Sequence, residues 1–139
     1  MKVMVLSKAT AKSESGEFGA AEDFAAMDQY MRQLTEAGVL LAGDGLQPTS
    51  KAKRVAIDGD GTARVIDGPF AEAKELVAGY SIWEVSSMDE AVEWAKRSPL
   101  RDAEVELRKI LDAEDFDESF ATEIAAAEEH RRAEPTATS

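Results

Sequence analysis

Val77-Ala78-Gly79-Tyr80-Ser81-Ile82-Trp83-Glu84-Val85-Ser86-Ser87-Met88-Asp89-Glu90-Ala91-Val92-Glu93-Trp94-Ala95 is the stretch whose reading decides the fold. Val77–Val85 is an extended segment in which Ser81, Trp83 and Val85 point one way and Tyr80, Ile82 and Glu84 the other. At Ser87 the period changes. Ser87 and Glu90 stand at capping-box spacing, and Met88, Ala91, Val92 and Ala95 form one helical stripe that Pro99 stops. Glu104–Ile110 alternates again, with Val105 and Leu107 against Glu106 and Arg108. The second half of the core is thus a strand, a helix and a strand.

The first half repeats this order. Lys2–Ser7 is apolar on both faces, as a central strand is. Residues 8–19 form a polar loop with Gly16 and Gly19, longer than most connections and of the kind that carries sites or lids. From Ala21, Phe24, Met27, Met31 and Leu34 recur at helical spacing, and Gly38 stands where a helix C-terminus takes positive φ. Val39–Ala42 is a second strand. Between the halves, Lys53–Asp58 and Thr62–Asp67 flank Gly59-Asp60-Gly61 as a hairpin, and Ala71–Leu76 is a short connection with room for one helical turn.

The order predicts an α+β fold: ferredoxin-like βαββαβ with a hairpin inserted in its middle and an extra C-terminal helix. Two helices cover one face of the sheet. The other face is open yet carries apolar residues, which predicts a homodimer joined through that open sheet face, a dimeric α+β barrel.

Composition narrows the function classes. The chain has 139 residues, no cysteine and a net charge of −12. Without cysteine there is no disulfide scaffold, thiolate nucleophile or iron–sulfur cluster. The acidity excludes nucleic acid and anionic membrane surfaces as main partners, since both bind through Lys and Arg. No apolar run approaches a signal peptide or a membrane span, so a cytoplasmic location is expected. The charge is uneven: residues 112–139 hold nine acidic and two basic side chains. This sets a core domain, 1–111, apart from an acidic helical extension, 112–139. There Phe116, Phe120, Ile124 and Ala127 form one stripe, which predicts docking onto the domain or a neighbouring subunit.

Several signatures fail on their mechanics. Gly43-Asp44-Gly45 lacks the third glycine of a dinucleotide loop, with Pro48 in its place, and Asp58-Gly59-Asp60-Gly61-Thr62 lacks the sixth-position Gly and final Glu of a calcium loop. The sole histidine, His130, stands in the acidic extension between Glu129 and Arg131 and reads as a solvated surface residue. No metal site and no cofactor are expected. Asp67-Gly68-Pro69-Phe70-Ala71-Glu72-Ala73-Lys74-Glu75 with Gly79-Tyr80 differs. Here Gly68 permits close backbone approach, Pro69 fixes φ and Phe70 anchors the turn. Asp67 or Glu72 is placed to act as acid or base, and Lys74 or Tyr80 to hold a developing negative charge. A hairpin exit with solvated charges accounts for the same residues.

This segment resembles the signature of the DGPF proteins, a branch of the YCII-related family. The likeness extends to Ala37-Gly38-Val39-Leu40, Ala42-Gly43-x-Gly45-Leu46-x-Pro48, Met88-Asp89-Glu90-Ala91 with Trp94-Ala95, and Glu104-Val105-Glu106-Leu107-Arg108, covering roughly residues 1–110. The resemblance implies a dimeric α+β barrel. It implies a His–Asp pair as an active site, a relative acting on a chlorinated aromatic, and an association with extracytoplasmic-function sigma factors. This chain departs from the pattern: residues 1–129 contain no histidine, and Gln47 stands where related sequences often have one. Gln donates and accepts hydrogen bonds but does not titrate, which suits binding better than catalysis.

Three readings follow. The first is a small-molecule-binding domain with a pocket near the dimer seam, lined by Gln47, Asp67, Gly68, Pro69, Phe70, Glu72, Lys74 and Tyr80. The second is a cofactor-free lyase or dehalogenase with Asp67 as base and Lys74 or Tyr80 as its anion partner. The third is an accessory regulator that offers its acidic helix to a sigma factor, whose DNA-binding face is basic.

Overall fold

The computed structural model describes residues 1–17 and 19–133, with the side chain of Lys74 outside the description. The described strands are β1 (Lys2–Lys8), β2 (Leu40–Gly45), β3 (Lys53–Ile57), β4 (Ala63–Asp67), β5 (Val77–Glu84) and β6 (Val105–Lys109). The helices are α1 (Ala11–Glu14), α2 (Ala21–Glu36), α3 (Met88–Ala95) and α4 (Glu118–Ala133). Single 3-10 turns lie at Thr49–Lys51, Ala73–Glu75 and Ala113–Asp115. The chain divides into two compact units, Met1–Lys109 and a second that begins at Ile110.

In the first unit a four-stranded sheet has the order β2-β5-β1-β6, with every neighbouring pair antiparallel. This is the ferredoxin-like order. β3 and β4 form a separate two-stranded sheet with Val55 opposite Val65. The long strand runs as its alternation predicts: Ser81, Trp83 and Val85 are buried, and Val5 and Val3 stand opposite Ser81 and Trp83. Tyr30 and Leu34 from α2 and Ala91 from α3 complete the core on this face. The opposite face carries Met4, Leu6, Tyr80 and Ile82, all half-buried.

The caps are local chemistry. Ser87 accepts from the Glu90 N–H at 3.1 Å. The Glu90 carboxylate then takes the Ser86 N–H and hydroxyl at 2.6 and 2.9 Å, one residue earlier than a reciprocal capping box. Those two donors hold the Glu90 carboxyl below its ordinary pKa. Gly38 takes φ 74°, and the Val39 N–H closes the α2 C-terminus on the Leu34 carbonyl at 2.9 Å.

Three expectations need correction. Phe24 begins the apolar stripe of α2 but is 76% exposed. The strand positions on the helix-covered face toward that end are Gly43, Gly45 and Gly79, so side chains that would receive it are lacking. The polar loop after β1 contains a helical turn, α1, capped by Thr10 and Ser13 in reciprocal hydrogen bonds. In the second unit, Phe116 precedes the helix rather than lying on it. Asp112 caps the turn at 113–115, and a fresh start at Asp117 places α4 from Glu118.

Candidate functional site

The Asp67–Phe70 turn is a latch between segments distant in sequence. The Gly68 N–H donates to the Ala52 carbonyl at 3.0 Å, and the Phe70 N–H donates to Thr49 Oγ1 at 3.1 Å. A Cβ on Gly68 would stand 1.6 Å from the Thr49 carbonyl oxygen, so only glycine fits. The Gly68–Pro69 peptide bond is cis. The Arg54 guanidinium lies 3.7 Å over the Phe70 ring, the anchoring role expected of that aromatic.

Thr49 carries the latch onward. Its N–H and hydroxyl donate to the two carboxylate oxygens of Glu14 at 3.1 and 2.5 Å. Hydrogen bonds to an ionised acceptor are about twice as strong as neutral ones. Glu14 and Thr49 are the structural residues that sequence reasoning missed. Their signal was Thr10-Ala11-Lys12-Ser13, a capping pattern that turns a loop into one helical turn ending at Glu14.

The expected site residues separate. Asp67 is the last residue of β4, its side chain 73% exposed, and its carboxylate pairs with Lys53 at 2.6 Å across the hairpin. An exposed carboxylate already paired with a lysine is poorly placed to take a proton from a bound substrate. Tyr80 stands opposite Asp44 in the β2–β5 ladder and donates its hydroxyl proton to Asp44 Oδ2 at 3.1 Å. That bond and the Asp44 charge raise the Tyr80 pKa, with a smaller push from desolvation. A phenol whose proton is already committed to a carboxylate has none left to offer a second anion, which would also face the Asp44 charge. Glu72 is exposed at φ 62°, heading the turn at 73–75. Pro69 is exposed, and the Lys74 side chain lies outside the described residues.

Gln47 lines a sizeable cleft. A cleft of about 650 Å³ opens between the α1 loop, the end of the β2–β5 ladder and the turn at 49–51. Ser13, Ser15 and Glu17 face it from one side, and Gln47, Ser50 and Lys51 from the other. The Glu14–Thr49 hydrogen bonds tie these two walls together. Lys51 has no ion-pair partner among the described residues. The cleft therefore offers hydroxyls, one amide and one uncommitted cation, and no titratable base beyond Glu17. Among the described residues no group of three His, Cys, Asp or Glu side chains is arranged to hold a metal ion, and no helix is long and apolar enough to cross a membrane.

Comparisons place the chain. A curated uncharacterized protein of Rhizobium meliloti is 36% identical over 70 residues, a match that spans 50% of this chain and 56% of that protein. Among solved structures, the chain is similar to 5-chloro-2-hydroxyhydroquinone dehydrochlorinase (TftG) from Burkholderia phenoliruptrix, in complex with 2,5-dihydroxybenzoquinone. The TM-score is 0.41 at 15% identity, over 84% of this chain and 100% of that one. The sequence model of the YCII-related domain matches residues 1–114. With that span, and with the ferredoxin-like order of its sheet, the chain belongs to the YCII-related family.

Proposed function

We propose that the chain is a small-molecule-binding member of its family, and that the ligand occupies the cleft lined by Gln47 and Lys51. The observation that carries this reading is the cleft itself. Its volume of about 650 Å³ falls within the range of small-molecule sites, roughly 300–1,000 Å³. Its lining combines the Ser13, Ser15 and Ser50 hydroxyls, the Gln47 amide and the Glu17 carboxylate with Lys51, which has no ion-pair partner among the described residues. The ligand class that fits is a small hydroxylated molecule with one anionic group, the anion on Lys51 and a donor–acceptor pair on Gln47. Binding is preferred to turnover, supported by the lack of histidine in residues 1–129 and by the exposed, lysine-paired Asp67. Relative to the first expectation, the site keeps Gln47 and moves away from Asp67, Phe70 and Tyr80.

The partner proposed is a second copy of the chain. The open face brings Met4, Leu6, Tyr80 and Ile82 together, and the hairpin adds Val55 and Val65, at 60% and 65% exposed. An isologous sheet-to-sheet contact would cover the first group. Residues 112–139 are proposed to be accessory to a core of 1–111, and a cytoplasmic location goes with the same reading.

Thermal denaturation with a panel of small hydroxy acids tests the site. A binder raises the wild-type Tm by an amount that grows with its free concentration. That rise is expected to be lost in Gln47→Ala and Lys51→Ala and kept in Asp67→Ala. Equal stabilisation of all four proteins places the ligand elsewhere.

A further inference from the structure

We propose that the tip of the β3–β4 hairpin is a modification site, at which Asp58 cyclises onto the backbone nitrogen of Gly59 and reopens as isoaspartate. The α-carboxylate freed in this way is the substrate of an isoaspartyl carboxyl methyltransferase.

The sequence holds four candidates. Asp44, Asp58, Asp60 and Asp67 each precede a glycine, and the chain has no asparagine, so isoaspartate must come from aspartate. Glycine is the most permissive successor, because it has no Cβ to shield its nitrogen or to restrict the backbone. In the reaction the glycine nitrogen attacks the Asp Cγ. A C–N bond forms, and the carboxyl hydroxyl leaves with the amide proton as water. Water then adds to the α-carbonyl carbon of the ring and breaks its bond to nitrogen, so the main chain continues through Cγ. One water leaves and one enters, and no oxidant or cofactor is needed. The fold decides the site through two conditions: an N–H that is not held, and a carboxyl free to turn onto it.

Three pairs fail these conditions. The Asp44 carboxylate accepts from the Tyr80 hydroxyl at 3.1 Å, and Gly45 is paired in the β2–β5 ladder, with the next N–H, of Leu46, on the Ala78 carbonyl at 2.8 Å. The Gly61 N–H donates to the Asp58 carbonyl, and the Asp60 carboxylate accepts the Thr62 N–H, both at 2.9 Å. The Thr62 contacts also hold the Asp60 carboxyl below its ordinary pKa, in the ionised form that gives up oxygen poorly. The Gly68 N–H is held by the Ala52 carbonyl at 3.0 Å, and the Asp67 carboxylate by Lys53 at 2.6 Å.

Asp58 and Gly59 meet both conditions. Among the described residues the Gly59 N–H has no hydrogen-bond partner, and the Asp58 carboxylate accepts no hydrogen bond. The carboxylate faces Arg64 Nε at 3.9 Å, a loose ion pair between exposed side chains. A Cβ built on Gly59 would meet nothing within 4 Å, so the space around the reacting nitrogen is open. Cyclisation must turn the 58–59 peptide plane. That gives up one bond at the hairpin tip, from the Gly61 N–H to the Asp58 carbonyl, while the Asp58 N–H keeps the Thr62 carbonyl at 2.9 Å. Residues 58–61 are all exposed, and exposed loop tips are where other enzymes reach a folded chain. The isoaspartate adds one carbon to the main chain and presents its α-carboxylate there. The methyltransferase moves the sulfonium methyl of S-adenosylmethionine to that carboxylate: an O–C bond forms, an S–C bond breaks, and the sulfur becomes a neutral thioether.

The full chain is incubated at neutral pH, folded and unfolded in urea. Peptide mapping with electron-transfer fragmentation reads isoaspartate at each of the four sites, since the tryptic peptide from Val55 to Arg64 carries both Asp58 and Asp60. The ratio of folded to unfolded rate cancels the reactivity that the four pairs share. At Asp58 this ratio is expected to exceed that at each other site by at least about tenfold. Methyl transfer from radiolabelled S-adenosylmethionine by a purified isoaspartyl methyltransferase is expected to label the aged, folded chain at residue 58. Gly59→Ala, whose Cβ meets nothing in the fold, is expected to remove most of that label. Protection of Asp58 by folding as strong as at the other three sites, or faster isomerisation at Asp60 in the folded chain, overturns the proposal. A folded Gly59→Ala chain that takes up as much methyl as the wild type overturns it too, as does an isoaspartate at 58 that the folded chain does not yield to the methyltransferase.

Discussion

Replacing Gly68 with alanine tests the account of the latch. The added Cβ would stand 1.6 Å from the Thr49 carbonyl oxygen and 2.7 Å from its carbon. Both atoms are backbone, so no side chain can rotate away, and the turn must move against the segment at 49–52. Forcing a methyl into a packed position costs about 1–3 kcal/mol. The movement also strains the Gly68 N–H bond to Ala52 and the Phe70 N–H bond to Thr49, each worth about 1 kcal/mol. A loss of about 3 kcal/mol is the expected total, which lowers Tm by about 10 °C in a domain of this size. Urea unfolding followed by far-UV circular dichroism measures it, with an unchanged m-value as the sign that the unfolded state is unaltered. Gly59→Ala is the matched control: nothing lies within 4 Å of its added Cβ, and a change within about 0.5 kcal/mol is expected. A Gly68→Ala protein as stable as the control would refute the reasoning.

Three further outcomes follow from the same contacts. Glu14→Ala and Thr49→Val should each cost about 1–2 kcal/mol, and in a double-mutant cycle their coupling should reach about 1 kcal/mol, because each removes the other's partner; purely additive effects contradict the clamp. Burial pushes the Tyr30 phenol up to about 12, against a small opposing effect of Arg97, so between pH 10 and that value the folded chain holds a proton that the unfolded chain has lost. Stability from this group is therefore whole below pH 10 and disappears toward pH 12, a change of about 3 kcal/mol. Tyr30→Phe, which lacks the bond to Trp94, should be less stable than wild type at pH 8, and the difference should shrink through that window; a constant difference would exclude the linkage. Light scattering should give a mass about twice 15.0 kDa for the wild type and 15.0 kDa for Ile82→Lys, which puts a charge on the open face. A monomeric wild type removes the proposed dimer.

The sheet was legible because its signals are local and repeated. The alternation of Ser81, Trp83 and Val85 gave the buried face of β5, and Gly38 marked the end of α2 at its positive φ. Ser87 announced the start of α3 through a single side chain. The site was less legible because it depends on which distant segments meet. Asp67, Glu72 and Tyr80 are close in sequence, yet Asp67 is drawn to Lys53 by the hairpin register, and Tyr80 to Asp44 by the β2–β5 register. Glu14 and Thr49 are 35 positions apart, and no periodicity joins them. Gly68 was correctly marked for close backbone approach, but the partner of that approach was visible only in the fold. Phe24 shows the limit of reading a stripe: the helix supplies a side chain, and three glycine positions on the facing strands decline to receive it.

The most direct measurement of the central claim is the amide spectrum of the full chain titrated with the best binder from the hydroxy-acid panel. The account predicts saturable shifts of the Gln47 side-chain amide together with the backbone amides of Gly16, Gly45 and Ser50, all around one cleft. Shifts centred instead on Asp67–Phe70 and Tyr80, with the Gln47 amide unmoved, would contradict it.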